Sequence, residues 1–312
     1  MREVSLNEKE FHLNKDLFFL LGGVLLSVLA GFFLPFENLF WYKSAFLGYI
    51  LSSVVYVAYL LVRERIVGVV ATLTLYLSLL LNLTGMIRRA YESYKLGVFH
   101  PPWSNLFEAL TFWSFIAGFV YLVIERKYGF KILGAFVIPV IAAISGFAIY
   151  KANPEITPLM PALRSYWLYL HVVTAFTGYA GFTVAFGGAV AYLLKEHFPE
   201  NKFVKNLLPR REILDEITYK SIAIVFPIWT ASIILGAAWA NEAWGGYWSW
   251  DPKEVWSLIV WLFFGAYLHA RQLMGWKGKR VAWLVVFGFI TVLICFFAVN
   301  LYFPGLHSYA TE

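Results

Sequence analysis

Trp244-Gly245-Gly246-Tyr247-Trp248-Ser249-Trp250-Asp251-Pro252-Lys253-Glu254-Val255-Trp256 sets four tryptophans and two carboxylates between two long apolar runs, residues 222–240 and 256–270. That placement puts the stretch at a membrane surface. Tryptophan anchors chains at the bilayer interface, yet an anchor needs one or two rings rather than four interleaved with Gly, Pro, Asp and Glu. The stretch therefore reads as an aromatic platform for a flat, polarisable ligand.

Working outward, the chain is 60% apolar and 20% aromatic with 14% charged residues, against about a quarter charged in soluble domains. Apolar runs at 17–35, 46–62, 66–87, 106–124, 132–150, 167–194, 222–240, 256–270 and 281–302 mostly approach the roughly 20 residues that cross hydrocarbon. The expected fold is all-α, a polytopic integral membrane bundle of about nine transmembrane helices. The shortest run, 256–270, suffices if Asp251-Pro252-Lys253-Glu254 opens its helix, because proline is tolerated in a first turn. The first run follows a mixed-charge segment and is too long for a cleaved signal, so it is expected to be the first span. The lone Cys295 excludes disulfides, CxxC thiol chemistry and Cys-ligated metals within this chain.

Basic residues mark the cytoplasmic side of membrane proteins. With the N-terminus cytoplasmic and the C-terminus outside, 18 of the 25 Lys and Arg residues fall on inner segments. Arg88, Arg89 and Lys95 run against the rule. This topology gathers the tryptophan loop, His171 and His307 on the outer face.

His171 opens the run at 167–194 in register with Thr174, Gly178, Gly181, Ala185 and Gly188. Such a stripe of small residues either packs a neighbouring helix, its commonest use in membranes, or leaves a groove for a macrocycle beneath an iron-binding imidazole. His307 follows the turn Pro304-Gly305-Leu306, and its weight comes from pairing with His171, since haem iron accepts two axial imidazoles. His269 lies about 20 Å deeper than Trp256 at 1.5 Å per residue. It is an intramembrane titratable group, functional by default, or a boundary residue beside Arg271. His12, His100 and His197 lie in polar or loop segments and are read as bland.

Asn105 with Glu108 has capping-box spacing. Arg164 and Lys253 are candidate cations for a carboxylate-bearing ligand. Asp251 fits equally an N-cap and a ligand contact. The inner segment 195–220 has mixed charge and no nucleotide-binding glycine loop, and no nucleic-acid partner is expected.

The tryptophan stretch resembles the signature of haem-handling membrane proteins, and its Asp-Pro-Lys-Glu form resembles the CcsA (ResC) branch of System II cytochrome c biogenesis. Residues 158–171, 214–216, 267–271, 299–301 and 305–309 extend the resemblance over roughly residues 100–310. It implies a haem-handling domain at 101–312, with an outer tryptophan loop at 241–256, preceded by N-terminal transmembrane helices at 1–100. It also implies His171 and His307 as axial ligands of non-covalent, transient haem b. His269 is implied as an intramembrane ligand, with Trp244, Trp248, Trp250, Trp256 and Asp251 around the cofactor. The implied partners are a CcsB (ResB) type membrane protein, apocytochrome c and thiol-reducing pathway proteins. The implied role is that of a subunit of a thioether-forming haem lyase complex. The competing readings are a haem exporter or chaperone of the Ccm pathway and a b-type electron-transfer cytochrome, which holds haem between facing spans. A bacterial cytoplasmic membrane is favoured over a thylakoid.

Overall fold

The computed structural model describes residues 20–306, and every regular element among them is helical. In chain order these are α1 (Leu20–Phe33), α2 (Asn38–Val62), α3 (Arg65–Lys95), α4 (Leu106–Tyr128) and α5 (Gly134–Lys151). They continue with α6 (Tyr166–His197), the short α7 (Lys202–Leu207), α8 (Arg211–Trp244), α9 (Pro252–Gln272), α10 (Lys279–Leu293) and α11 (Val299–Tyr302). A π-helical turn, Ile294–Ala298, joins α10 to α11 without a break. Helices dominate because hydrocarbon offers the backbone no water, so each N–H and C=O must bond within its own segment.

Seven helical segments are long and apolar enough to cross a membrane, and all seven fall on runs expected from the sequence. The other two runs differ in kind. The described part of the first is α1, 14 residues long; α9 has 21 residues but is not apolar enough to count. As expected, Pro252 opens α9.

The bundle is organised around α6, the most buried of the seven. Its glycine stripe lies against α8. A Cβ at Gly178 would stand 2.7 Å from the Trp229 ring, and one at Gly188 would meet Thr218 Oγ1 at 2.5 Å. The stripe thus receives a neighbouring helix, and the groove beneath His171 is filled by α8 rather than left open. On its other flanks α6 stacks Phe182 on Phe264 of α9 at 3.9 Å between centroids, and Phe186 on Phe289 of α10 at 4.5 Å. Trp113 of α4 donates its Nε1–H to Thr183 Oγ1.

Two of the three basic residues that break the charge rule, Arg88 and Arg89, are neutralised where they stand. Arg88 pairs with Glu92 at 2.8 Å. Arg89, 1% exposed, donates Nε–H to Glu108 Oε1 at 2.5 Å and its other N–H groups to Asn38 Oδ1 and the carbonyls of Pro154 and Glu155. Glu108 is held further by Ser104 N–H at 2.6 Å, while Asn105 caps α4 by accepting from Glu108 N–H at 2.9 Å. His100, bland in sequence, is buried and hydrogen-bonded to the carbonyls of Pro101 and Thr157. Together these contacts pin residues 154–157, which lead into the helical turn Pro161–Leu163 ahead of His171.

Removing one member of a buried ion pair strands the other, at about 3–5 kcal/mol. Arg89→Ala is therefore expected to lower the unfolding temperature in detergent far more than Arg88→Ala, read by thermal denaturation of the two variants side by side.

Candidate functional site

His171 sits in the second turn of α6, whose start is fixed by Ser165 accepting from Trp167 N–H at 3.2 Å. Its Nδ1 lies 2.8 Å from the Ser232 carbonyl of α8. A carbonyl only accepts, so Nδ1 carries the proton, and in the neutral ring this leaves the lone pair on Nε2. Gly236 makes the contact possible. In an α-helix the carbonyl of residue 232 also bonds to the N–H of residue 236, and a Cβ there would stand 2.8 Å from His171 Nδ1. The ring also stacks on Trp239, with centroids 5.9 Å apart and planes at 28°.

Two cavities meet at His171. The larger, about 800 Å³, is walled by Trp103, Met160, Phe176, Trp239, Phe296 and Leu306. The smaller, about 530 Å³, lies toward α8 and α9 and includes Trp229, Gly236, Tyr247 and Trp248. Lys253 and Tyr179 border both.

The tryptophan loop divides its labour. Trp248 lines the smaller cavity and meets Trp250 edge-on at 5.8 Å. Trp244 packs edge-on behind Trp239 at 5.2 Å, and Trp256 is half-buried against the helical core. Trp250 is 72% exposed, with its backbone in the left-handed region at φ 60. The Glu254 carboxylate secures that unusual turn by accepting from the N–H groups on either side, Ser249 at 2.8 Å and Asp251 at 3.2 Å.

Asp251 is the N-cap of α9 within a full capping box, its Oδ2 accepting from Lys253 N–H at 3.0 Å. Its Oδ1 accepts from Leu306 N–H at 2.7 Å. Lys253 reaches the final span, donating to the Cys295 carbonyl and to Asn300 Oδ1, each at 3.0 Å. The π-turn makes that carbonyl accessible, because a π-bulge disturbs the regular i to i−4 pairing.

His307 lies outside the described residues; the described chain reaches its neighbour Leu306. His269 is exposed near the far end of α9, beside the Arg271–Asp215 ion pair at 2.5 Å, and lines neither cavity. Arg164 is exposed, donates to the Leu159 carbonyl and also stays outside both cavities. Ser232, Gly236 and Trp239 were missed in the sequence. Their signal is a helical face: residues 229, 232, 236 and 239 recur at three and four, with small residues between two tryptophans.

The fold thus brings together an imidazole, two largely apolar cavities and a tryptophan loop in a bundle of span-length helices. Residues 103–307 match the family model described as Cytochrome C assembly protein. The chain is 41% identical over 245 residues to cytochrome c biogenesis protein CcsA of Heterosigma akashiwo, covering 67% of this chain and 76% of that protein. It is 33% identical over 335 residues to CcsA of Pyropia yezoensis, covering 93% and 95%. With CcsA of Prochlorococcus marinus (strain MIT 9301) it shares 36% identity over 267 residues, covering 77% and 84%. Among solved structures, cytochrome c heme lyase CcmF superimposes with a TM-score of 0.64 at 20% identity, over 85% of this chain and 48% of CcmF. That likeness concerns the fold, and this chain spans about half of CcmF.

The protein is thus a cytochrome c assembly protein of the tryptophan-rich, haem-handling membrane class. Within that class the chain belongs to the CcsA family of System II, whose work is haem handling for cytochrome c maturation. The same relatives correct the expectation of a bacterial cytoplasmic membrane. Those from Heterosigma akashiwo, Guillardia theta, Mesostigma viride and Chlamydomonas reinhardtii are algal, so the preference over a thylakoid does not stand.

Gly236→Ala is expected to push the His171 ring off the Ser232 carbonyl while leaving the bundle folded. Loss of such an orienting bond typically costs about 10–100-fold in metal affinity. Haem retained per mole of purified protein should fall accordingly, with the circular dichroism of the helices unchanged.

Proposed function

We propose that this chain, with a CcsB-type partner, carries haem across the membrane and presents it at the outer face for covalent attachment to the CxxCH motif of apocytochrome c. The observation that carries this reading is the His171 imidazole, whose Nδ1 is committed to the Ser232 carbonyl at the wall of a largely apolar, aromatic-lined cavity. The residues present fit haem. Trp103, Phe176, Trp239 and Phe296 supply flat apolar walls, and Lys253 brings positive charge. The N–H of the ring committed to α8 directs Nε2 away from that helix.

In this reading α1 and α9 also cross the membrane, giving nine spans with the N-terminus on the cytoplasmic side and the C-terminus outside. Residues 101–312 form the haem-handling part, and the preceding helices brace it. Haem b is the non-covalent cargo. His171 and His307 are its axial ligands, with the tryptophan loop, chiefly Trp248, screening its edge from water. His269, exposed on α9 toward the opposite surface, faces the partner and takes haem within the membrane.

Haem itself supplies the reactivity, through two vinyl groups. Each cysteine thiol of the apocytochrome, kept reduced by the thiol-reducing proteins, adds S–H across one vinyl. One C–S and one C–H bond form and one C=C π bond is lost, with no net oxidation. The chain's own part is orientation: bis-imidazole ligation and an apolar shell set the iron's potential. Thioether formation belongs to the complex and not to this chain alone.

Co-purified with its partner, the protein is expected to carry haem that is depleted or readily oxidised in His171→Gly and His307→Gly, with added imidazole restoring both. Wild-type haem content and cytochrome maturation in the double variant would reject the ligand pair. His269→Ala is expected to leave the outer site empty in cells yet able to accept haem added to the purified complex.

A further inference from the structure

We infer that Lys253 is a specificity residue: its ammonium anchors a carboxylate of the ligand, so that the cavities at His171 select a flat apolar molecule bearing an acid group. The inference deepens the proposed function and rests on it, the acid groups then being the propionates of haem.

Local structure gives no reason for a positive charge at this position. Lys253 is the second residue of α9, and a helix N-terminus is the positive end of its dipole, where anions are favoured and cations are not. Among the described residues Nζ makes no ion pair; its acceptors are neutral, the Cys295 carbonyl and Asn300 Oδ1, each at 3.0 Å. The neighbouring carboxylates serve the backbone instead. Asp251 accepts from the N–H groups of Lys253 and Leu306, and Glu254 from those of Ser249 and Asp251. A part-buried cation without a paired charge is costly. An ammonium also has three N–H donors, one more than these two acceptors use.

The surroundings say where the missing anion belongs. Lys253 lines both cavities, and so does His171. Phe296, whose ring centroid is 5.1 Å from Nζ, and Asn300 wall the larger one beside it. Among the described residues of that wall Lys253 alone carries a formal charge, and apolar surroundings strengthen the attraction between opposite charges. Two hydrogen bonds already hold the side chain in place, so an arriving carboxylate meets an ordered ammonium and loses little to immobilising it. Fastening the last span needs only a neutral N–H donor; the charge is left for the ligand. Arg164, the other candidate cation, is exposed and lines neither cavity.

The test compares haem with haem dimethyl ester, in which both carboxylates are esterified, by absorbance titration of the haem-depleted complex with the partner. A site built around a charge rejects the analogue that leaves it unpaired, so the wild type is expected to bind haem about tenfold or more tightly than the ester. Lys253→Gln keeps an N–H donor and removes the charge. It should weaken haem by that factor and leave the ester unchanged, abolishing the preference, whereas Lys253→Arg should keep it. Asn300→Ala removes an acceptor but not the charge; it should lower the unfolding temperature of the ligand-free complex while retaining the preference. Equal affinity for haem and ester in the wild type would overturn the inference without any variant. A Lys253→Gln complex that loses both ligands alike, or keeps the preference, would overturn it too. If the wild-type complex binds neither porphyrin, the proposed function fails and the inference with it, an outcome distinct from equal binding of the two.

Discussion

The close approach of α6 and α8 is the contact on which the site depends. In lipid, apolar side chains gain little by meeting one another rather than acyl chains, so helices associate where small residues let backbones come near. Gly178, Gly181 and Gly188 give α6 that surface, and Trp229, Val225 and Thr218 of α8 occupy it. One consequence follows at the His171 end. With the two helices in register, the Ser232 carbonyl comes within 2.8 Å of His171, and Gly236 leaves the ring room to reach it. Packing along the whole interface therefore fixes the tautomer of one imidazole.

The rim of the larger cavity is set by a second, electrostatic device. Arg89 and Glu108 are both buried and would each be costly alone, yet together they gather the carbonyls of residues 154 and 155 and the N-terminus of α4. His100 and Asn105 hold the same segment. Met160, Leu163, Trp103 and Ser104, which wall the larger cavity, all adjoin this network in sequence. Helices α2 and α3 thus contribute to the wall of the larger cavity indirectly, through Asn38 and Arg89.

Much of this was legible in the residues. Apolar runs located the seven span-length helices, the Asp-Pro-Lys-Glu sequence announced the start of α9, and the clustering of four tryptophans pointed to a flat ligand. Where sequence reasoning went astray, the cause was tertiary. The small stripe below His171 has the same pattern whether it faces a helix or a macrocycle, and only its neighbour decides. His100 looked idle because its partners, the carbonyls of Pro101 and Thr157, are backbone atoms that leave no mark on residue type. Arg88 and Arg89 looked like violations of the charge rule because Glu92 and Glu108 are their partners in space.

By itself the sequence determined the class of structure, the family and the chemistry-bearing types, because hydropathy, aromatic content and motif spacing are properties of residues in order. Only the tertiary structure decided which of them cooperate. It divided the tryptophans between lining, backing and exposure, and it brought Ser232, Gly236 and Trp239 to His171. It also placed Asp251 as the cap of α9, and added the bond to Leu306 that no local pattern encodes. These are contacts between backbone groups and side chains far apart in the chain. They exist only once helices have packed, since hydrogen bonds of this kind depend on distances of a few tenths of an ångström that residue identity does not carry.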